Sequence, residues 1–372
     1  MMTTNRLAIT GIGLIDNLGS NPEECFQSYI SDQSPICVDG QFTSVDTDLL
    51  KPDMRAPAYA SLVKANKLAL HVVEQALTDV PHSENVFTIF STLSAMNEHF
   101  SDYAMDISDG GNRIKPKTML QGLKDYISGL IPILYNFTGG SVGFNSACST
   151  SLYQLDYAFT KADEYDYIIC GASETANNEW DMHFFRKLGA IGSKSIPFSE
   201  QRDGFVMGEG AACLVLEKPE KAINRGAKIY GYIHKPVLAN DGSAGNVVAP
   251  SNVGVTKTMT PFKDYNLSFV SAHATSTPAG DELEYNTIQS IFPGVPVTSF
   301  KSKIGHTLGA SGVVEVVYTL MALKNNIIPK TDSYDGNLNN VVRQNIYSNK
   351  SFALKNSLGF GGKCASVVIE TP

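Results

Sequence analysis

The segment Asn145-Ser-Ala-Cys148-Ser-Thr-Ser lies where an apolar, strand-like run (residues 142–147) gives way to a run with helical spacing (residues 149–161). Cys148 therefore stands at the predicted start of a helix, where unpaired backbone N–H groups and the helix dipole stabilise a thiolate. Such a position can lower the pKa of a thiol from ~8.5 to ~7 or below. The pattern predicts a nucleophile rather than a structural cysteine.

The alternation of strands and helices continues along the chain and predicts an α/β fold. Strands are predicted at residues 7–15, 86–91, 142–147, 166–171, 210–217, 228–234, 267–271, 295–300 and 365–370, and helices at 64–77, 126–137, 149–161 and 310–324. A strand, a glycine- and serine-rich elbow and a helix occur at Cys148 and again at His306, which indicates an internal duplication. We predict two halves, residues 1–225 and 226–372, that pack as one unit because no low-complexity linker separates them.

Two histidines of the second half lie in loop-like segments among small and hydroxyl residues. Ser271-Ala-His273-Ala-Thr-Ser-Thr-Pro-Ala-Gly-Asp281 follows one predicted strand, and Lys301-Ser-Lys-Ile-Gly-His306-Thr-Leu-Gly-Ala follows another. Small side chains would let an extended substrate lie against Thr275 and Thr277. One thiol and two imidazoles are the groups that carbon–carbon bond formation through a thioester needs, so we predict an enzyme. Metal-binding H-x-x-x-H spacing is absent, and we predict no metal site.

Two further features accompany these motifs. Lys301 and Glu315 flank His306 at −5 and +9, which predicts a partly buried ion pair beside it. The tail Asn356-Ser-Leu-Gly-Phe360-Gly-Gly surrounds one aromatic with glycines. This pattern indicates a tight turn in which Phe360 can change conformation and its N–H can serve as an oxyanion donor; an ordinary glycine-rich turn is the alternative.

The composition excludes several classes of protein. With 43% hydrophobic and 18% charged residues, the 372-residue chain predicts a large buried core and little disorder. The formal charge of −8, with no basic tract, disfavours nucleic acid as a partner. We see no apolar run long enough to cross a bilayer and no signal-peptide layout. Six cysteines without a CxxC pair indicate a reducing compartment, so we expect a cytoplasmic protein.

Together, the motifs resemble those of the elongating, Cys-His-His type of β-ketoacyl-acyl-carrier-protein synthase in the thiolase superfamily. The resemblance extends from Ala8-Ile-Thr-Gly-Ile-Gly13 to Gly359-Phe-Gly-Gly362 and so covers nearly the whole chain. It implies a five-layered αβαβα fold of two similar halves. It also implies decarboxylative Claisen condensation, in which malonyl-acyl carrier protein extends an acyl chain held on Cys148 to a 3-ketoacyl product.

The resemblance also implies a role for each motif. Cys148 carries the acyl chain, and His273 and His306 assist decarboxylation and hold the enolate. Lys301 tunes the histidines, with Glu315 as its ion-pair partner. The oxyanion hole consists of the N–H groups of Cys148 and Phe360. Substrate contacts are implied for Thr275, Thr277, Leu358 and Phe360, the last of which is the gating aromatic.

The partners follow from the same resemblance. The enzyme would need no cofactor of its own, since the acyl carrier protein delivers the phosphopantetheine arm. It would form a homodimer, or a heterodimer with a chain-length-factor-like subunit. Carrier proteins are acidic and would dock on local positive charge. The candidates for this docking are Arg55, Lys64, Lys67, Arg186 and Lys187.

The chain departs from the family pattern at several positions. Relatives usually read GFGGTN, where this chain has Lys363-Cys364 after the glycines. Ala274 follows His273 where glycine is usual, and Leu358 replaces a common aromatic. The segment 250–268 looks too short for the helix that normally precedes the first histidine motif. These departures predict a specialised fatty acid or polyketide pathway, polyene or aromatic, rather than housekeeping synthesis.

Several alternatives are to be weighed against this interpretation. The chain could be an active subunit that works only with a chain-length-factor partner. A chain-length factor itself typically lacks the nucleophile that Cys148 supplies. A degradative, non-decarboxylating thiolase would carry a second cysteine where His306 stands, and the same histidine disfavours an initiating Cys-His-Asn synthase. A carrier-binding scaffold without catalysis is a further alternative.

Overall fold

The computed structural model describes residues 5–46, 62–95, 97, 107–108, 110, 120–176, 178–242 and 251–372. Its helices are α1 (Pro22–Ile30), α2 (Lys64–Leu77), α3 (Tyr126–Tyr135), α4 (Thr150–Lys161), α5 (Glu179–Lys187), α6 (Pro219–Asn224), α7 (Asn252–Met259), α8 (Pro278–Ile291), α9 (Lys301–Ile304) and α10 (Ser311–Lys324). Its strands are β1 (Arg6–Asp16), β2 (Cys37–Val38), β3 (Gln41–Phe42), β4 (Val86–Ser91), β5 (Ser141–Val142), β6 (Tyr167–Glu174), β7 (Gly210–Glu217), β8 (Gly231–His234), β9 (Val237–Asn240), β10 (Leu267–Ser271), β11 (Val297–Thr298), β12 (Ile327–Ile328), β13 (Ile346–Tyr347), β14 (Phe352–Gly359) and β15 (Lys363–Glu370).

Most of the described strands join in one sheet of order β11-β10-β14-β15-β8-β1-β7-β6-β4-β5, with β9 beside β15. The two ends of the sheet repeat one pairing scheme. In the first half, β1 and β7 pair antiparallel, as do β7 and β6, and then β6–β4 and β4–β5 are parallel. In the second half, β8–β15 and β15–β14 are antiparallel, and β14–β10 and β10–β11 are parallel. The predicted duplication is confirmed.

Alternation along each strand distributes apolar residues between two layers of helix. On β7, Leu214 and Leu216 pack in the core that contains α4 and α10, whereas Cys213 and Val215 pack in the core that contains α2. On β15, Val367 and Ile369 also join the central core, while Val368 packs in the core that contains α7 and α8. Strands of both halves face the central core, and each half has an outer core of its own, so the continuous strand order forms two sheet layers. The resulting order of helix, sheet, helix, sheet and helix confirms the five-layered, thiolase-like fold.

The halves meet along the sheet and through the central helices. Strands β1 and β8 pair antiparallel, with Ala8 opposite Tyr232. Helix α10 is buried from Ser311 to Leu323, as expected for a helix that is apolar on every side. It lies against α4 so closely that a Cβ at Gly312 would stand 2.9 Å from the Cβ of Ser151. The proposed boundary at 225/226 lies between α6 and β8 and stays a prediction.

Most predicted elements are present, and the differences concern short segments. Strands β5 and β11 are shorter than predicted because the chain turns away from the sheet after Val142 and Thr298. The expectation that segment 250–268 is too short for a helix was wrong. Ser251 caps α7, its hydroxyl accepting from Val253 N at 3.3 Å, and two turns fit the segment. None of the described helices combines the length and apolar character needed to cross a membrane.

Candidate active site

The Cys148 elbow is a tight, hydrogen-bonded turn between β5 and α4. Ala147 has φ 49°, a left-handed conformation that costs a non-glycine residue about 1–3 kcal/mol. The Thr150 hydroxyl compensates by accepting from Ser146 N at 2.9 Å and donating to Ala147 O at 2.6 Å. The first turn of α4 therefore fixes the strained residue that presents the Cys148 thiol.

His306 lies directly against Cys148. Its Nε2 is 3.1 Å from Cys148 Sγ, and its Nδ1 is 2.9 Å from the hydroxyl of Ser311 at the start of α10. The ring also meets Phe205 edge-on, with 5.3 Å between ring centroids. Both nitrogens of this buried imidazole thus have a partner, and one of the partners is the thiol.

His273 completes the group at the end of β10. Its ring centroid is 5.3 Å from that of His306, in an edge-on arrangement. The backbone here is held by Glu284 of α8, whose two carboxylate oxygens accept from His273 N at 2.7 Å and Ala274 N at 2.8 Å. Ala274, a departure from the family pattern, therefore fits its turn. Cys148, His273 and His306 line one cavity of about 610 Å³.

The predicted ion pair between Lys301 and Glu315 is present. Lys301 Nζ contacts Glu315 Oε1, and both side chains are buried. The other carboxylate oxygen, Oε2, accepts from Lys355 Nζ at 2.8 Å. Our sequence reasoning missed Lys355 and Glu284. A lysine within the otherwise uncharged strand Phe352–Gly359 was the available signal for Lys355.

The Cys148 thiol is not acidified as the helix start predicted. The cavity reaches the residue, but the surrounding protein removes most of its hydration and raises the pKa of the thiol to about 12, against the lowering effect of Lys301. The prediction of a lowered pKa was wrong because this loss of hydration outweighs the helix terminus and the lysine. Cys148 is a neutral thiol at neutral pH.

The two imidazoles are shifted in the opposite direction, and they are neutral too. Burial holds the pKa of His273 well below its ordinary value, and the charge of Lys301, the neighbouring His306 and the charge of Lys355 lower it further. Burial is also the main cause for His306, followed by Lys301 and Lys355. A neutral imidazole can accept a proton from the thiol or donate a hydrogen bond to a carbonyl.

The predicted substrate positions line the same cavity. The hydroxyls of Thr275 and Thr277 are 3.2 Å apart. Leu358 and Phe360 lie in its wall, and a Cβ at the intervening Gly359 would be 3.2 Å from Cys148 N. The turn that carries Phe360 therefore reaches the backbone of Cys148.

The unusual Lys363 preserves this turn. Gly361 and Gly362 take φ 80° and 70°, which glycine adopts without strain. Lys363 then pairs with Gly359 to close the hairpin, and its carbonyl accepts from the Ser149 hydroxyl at 3.0 Å. The departure from the family pattern is thus accommodated next to the elbow.

The mouth of the cavity carries an apolar stripe that our sequence reasoning did not find. Trp180, Phe184 and Leu188, spaced four residues apart along α5 and just beyond its end, line the cavity and are 45%, 55% and 40% exposed. The signal in the sequence was this i, i+4, i+8 repeat. Arg186 and Lys187 of the same helix are exposed.

The candidate docking residues differ in their surroundings. Arg55 lies outside the described residues. Lys64 forms an ion pair of 2.5 Å with the buried Glu209, and Lys67 is half-buried. Arg186 donates to Asp39 O at 2.8 Å. Within the described part of the chain, no group of three or more His, Cys, Asp or Glu is arranged to hold a metal ion.

Comparison with family models finds two consecutive matches. Residues 52–222 match the model described as beta-ketoacyl synthase, N-terminal domain, and residues 231–335 match the model of the C-terminal domain. The chain is 28% identical to 3-oxoacyl-[acyl-carrier-protein] synthase 2 of Vibrio cholerae, over 99% of this chain and 100% of that protein. It is 29% identical to 3-oxoacyl-[acyl-carrier-protein] synthase 1 of Haemophilus influenzae, over 98% of each.

Solved structures share the fold. A beta-ketoacyl synthase from Burkholderia phymatum superposes with a TM-score of 0.87 at 22% identity, over 99% of both chains. A type II polyketide synthase ketosynthase, solved with its acyl-carrier protein and a bound hexaketide, superposes with a TM-score of 0.85 at 22% identity over all of both chains. The ketosynthase/chain length factor of ishigamide reaches 0.86, also at 22% identity.

Proposed function

The chain belongs to the beta-ketoacyl synthase family, and we propose that its own residues catalyse a decarboxylative condensation in the following way. The observation that carries the proposal is the 3.1 Å contact between Cys148 Sγ and His306 Nε2, with the His273 ring beside them in one cavity. The first substrate is an acyl thioester on an acyl carrier protein, and the second is the malonyl thioester of another carrier.

Acylation begins from a neutral pair. Cys148 Sγ attacks the thioester carbonyl while His306 Nε2 takes the thiol proton. The N–H groups of Cys148 and Phe360 hold the oxyanion; the close approach of Gly359 to Cys148 N supports this role. The carrier thiolate leaves and takes the proton from His306, so that the chain now holds an acyl-Cys148 thioester.

Condensation uses both imidazoles as hydrogen-bond donors. They hold the malonyl thioester carbonyl while CO₂ leaves, and the electron pair of the broken bond forms an enolate. The enolate carbon attacks the acyl-Cys148 carbonyl, the C–S bond breaks, and the Cys148 thiolate takes a proton from water as the 3-ketoacyl product departs. Because a hydroxyl both donates and accepts, Ser311 can partner Nδ1 in either tautomer that His306 adopts in these steps.

The carrier protein delivers its substrates on a phosphopantetheine arm, and we assign the arm to the side of the cavity formed by Thr275 and Thr277. The pathway is a specialised fatty acid or polyketide synthesis, an assignment supported by Lys363-Cys364, Leu358 and the polyketide ketosynthases among the structural relatives. A cytoplasmic location is supported by the six cysteines, all of which carry free thiols.

The test is a condensation assay with a panel of acyl carrier proteins and malonyl carrier protein, in which 3-ketoacyl products are identified by mass spectrometry. We expect products from the wild-type chain and from Cys37→Ala, which removes a thiol outside the cavity. We expect none from Cys148→Ala. Product formation by Cys148→Ala would exclude the proposed nucleophile.

A second candidate is an active subunit that depends on a chain-length-factor-like partner. It is favoured by the ketosynthase/chain length factor structures among the relatives. In that case the purified chain would acylate Cys148 slowly or not at all, and turnover would appear only after the partner is added. Turnover by a homodimer alone would exclude this dependence.

Carrier docking is assigned to α5 at the mouth of the cavity, where Arg186 and Lys187 flank the apolar stripe of Trp180, Phe184 and Leu188. Lys64 is a weaker candidate because Glu209 already pairs with it.

We expect Arg186→Glu to weaken carrier affinity about tenfold, with a reduced salt dependence, since rim charges steer an acidic partner. The control is Lys324→Glu at the end of α10. Binding isotherms at two salt concentrations measure both; equal affinity of Arg186→Glu and the wild type would contradict the assignment.

A further inference from the structure

Lys355 is a buried lysine that takes no part in the proposed reaction steps. It lies within β14, beside Ser271 of β10, and its side chain is fully buried. Its Nζ donates to Glu315 Oε2 at 2.8 Å and to Ala272 O at 3.3 Å. Because an ammonium group loses its hydration on burial, burying Lys355 costs folding free energy.

The charges around Glu315 do not balance as a simple pair. Lys301 contacts one carboxylate oxygen and Lys355 the other, so that two ammonium groups share one carboxylate. The ammonium of Lys355 also contacts the carbonyl oxygen of Ala272, the residue before His273. An apolar side chain would fill this strand position at lower cost, which is why the charge itself calls for an explanation.

We propose that Lys355 is a positioning residue of the condensation reaction, whose ammonium shares Glu315 with Lys301 and so keeps a positive charge behind His273 and His306. This inference rests on the proposed function and adds to it. The charge keeps both imidazoles in the neutral form that accepts the thiol proton and donates to the malonyl carbonyl. It also faces the negative charge that develops as CO₂ leaves.

Lys303 is a second buried lysine, and its contacts are structural. Lys303 Nζ donates to the carbonyl oxygens of Ser31 and Gln33, each at 2.7 Å, and lies 3.8 Å from Asp332. These contacts hold the chain after α1 and involve no group of the cavity. Lys303 is therefore a control of equal burial for substitutions at Lys355.

The direction of the effect follows from the groups that face the histidines. The charged or titratable groups packed around them are Cys148 at the start of α4, Glu174 of β6, Glu284 of α8, Lys301 of α9, Glu315 of α10 and Lys355 of β14. After burial, Lys301 and Lys355 both lower the pKa of each imidazole. Loss of Lys355 raises these pKa values, so protonation begins at a higher pH and the acid limb of the rate profile moves upward.

The experiment measures decarboxylation of malonyl-pantetheine, a small thioester that needs no carrier docking, from the lowest pH at which the wild type stays folded up to pH 9.5, because the histidine pKa values lie well below their ordinary value. Wild type, Lys355→Met, Lys355→Gln and Lys303→Met are compared, each with its melting temperature. We expect the acid limb of both Lys355 variants to lie about half a pH unit or more above that of the wild type. Lys303→Met should melt at a lower temperature but keep the acid limb of the wild type.

The outcomes separate the possible explanations. Lys355→Gln keeps a hydrogen-bond donor but removes the charge, so a shift in Lys355→Met alone would overturn the proposal. Folded variants with unshifted acid limbs would overturn it as well. An inactive wild-type chain would instead count against the proposed function.

If neither Lys355 variant folds, the alkaline limb of the wild type decides. Burial lowers the pKa of Lys355 to about 8, so its charge is lost as the pH rises through that value. Decarboxylation by the wild type should then decline above about pH 8, because the negative charge that develops as CO₂ leaves no longer faces the Lys355 ammonium group, while the histidines stay neutral. A rate that stays constant to pH 9.5 would overturn the proposal.

Discussion

Cys148 and His306 are both uncharged where they meet. Their protonation states determine when the thiol loses its proton as Cys148 Sγ attacks the thioester carbonyl. Loss of hydration raises the pKa of the thiol, while burial and two lysines lower the pKa of the imidazole. A preformed thiolate–imidazolium pair would need both shifts reversed. In the proposed mechanism the proton therefore moves to His306 during attack, across the 3.1 Å contact between Cys148 Sγ and His306 Nε2.

The pH dependence of alkylation tests whether the Cys148 thiol is neutral. Because the thiol's pKa is raised, the thiolate fraction is small at neutral pH and grows as the pH rises toward the thiol pKa. We expect iodoacetamide to label Cys148 at a rate that increases about tenfold per pH unit between pH 7 and pH 9, as followed by peptide mass spectrometry. A rate that is constant between pH 6 and pH 8 would indicate a thiolate already formed and contradict this view.

Among the elements, β10, α8 and β14 act together to aim His273. Glu284 of α8 accepts from His273 N and Ala274 N, and also from the Asn356 amide of β14 at 2.6 Å. One buried carboxylate thereby fixes the end of one strand against the next. The positions of these three elements, more than the histidine's own sequence neighbours, determine where the imidazole lies.

Substitution of Glu284 tests this coupling. In Glu284→Gln, one of the two carboxylate oxygens becomes an NH₂ donor that faces a backbone N–H, which leaves a buried donor unsatisfied. We expect a loss of about 1–3 kcal/mol in the free energy of unfolding and a fall in condensation rate. Urea denaturation and the condensation assay measure the two effects. The control is the exposed Glu282→Gln of the same helix, and equal stability of the two variants would contradict the role of Glu284.

The sequence predicts elements with local patterns well, but it does not predict contacts between distant elements. Helix α2 and strands β4, β7 and β10 match their predicted bounds because their apolar patterns are local. Cys148, His273 and His306 were identified from their motifs, and the structure places them in one cavity. Lys355 and Glu284 were missed because their contacts are not visible in their own sequence neighbourhoods. Lys355 binds Glu315, 40 residues away, and Glu284 binds the backbone of residues 11 and 10 positions before it. The thiol pKa was mistaken because burial depends on the whole fold.

In the whole molecule, the elbow of one half, at Cys148, lies against the elbow of the other, at His306. The helices that follow the elbows, α4 after Cys148 and α10 after His306, lie together in the central layer. Ser151 of α4 donates its hydroxyl to the carbonyl of Gly309 just before α10. Neither half holds a complete site, so the packing of the halves creates the thiol–imidazole contact.

Gly312 tests the packing of the central helices. A Cβ there would stand 2.9 Å from the Cβ of Ser151 and 3.3 Å from Cγ of Leu152, so Gly312→Ala must separate α4 from α10. We expect a loss of about 1–3 kcal/mol in stability and a lower rate of Cys148 acylation. Gly129→Ala in α3, where a Cβ meets no atom within 4 Å, is the matched control and should be neutral or stabilising by up to about 1 kcal/mol. Equal melting temperatures for the two variants would contradict this view of the interface.

We expect the growing chain to be carried on Cys148, and intact-protein mass spectrometry after incubation with a panel of acyl carrier proteins detects it there. We predict that the wild-type chain, together with a chain-length-factor-like subunit where it needs one, gains the mass of one acyl group. That mass should be lost when malonyl carrier protein is added, and Cys148→Ala should gain nothing. Acylation of Cys148→Ala to the wild-type extent, or of the wild type at another cysteine, would contradict the account.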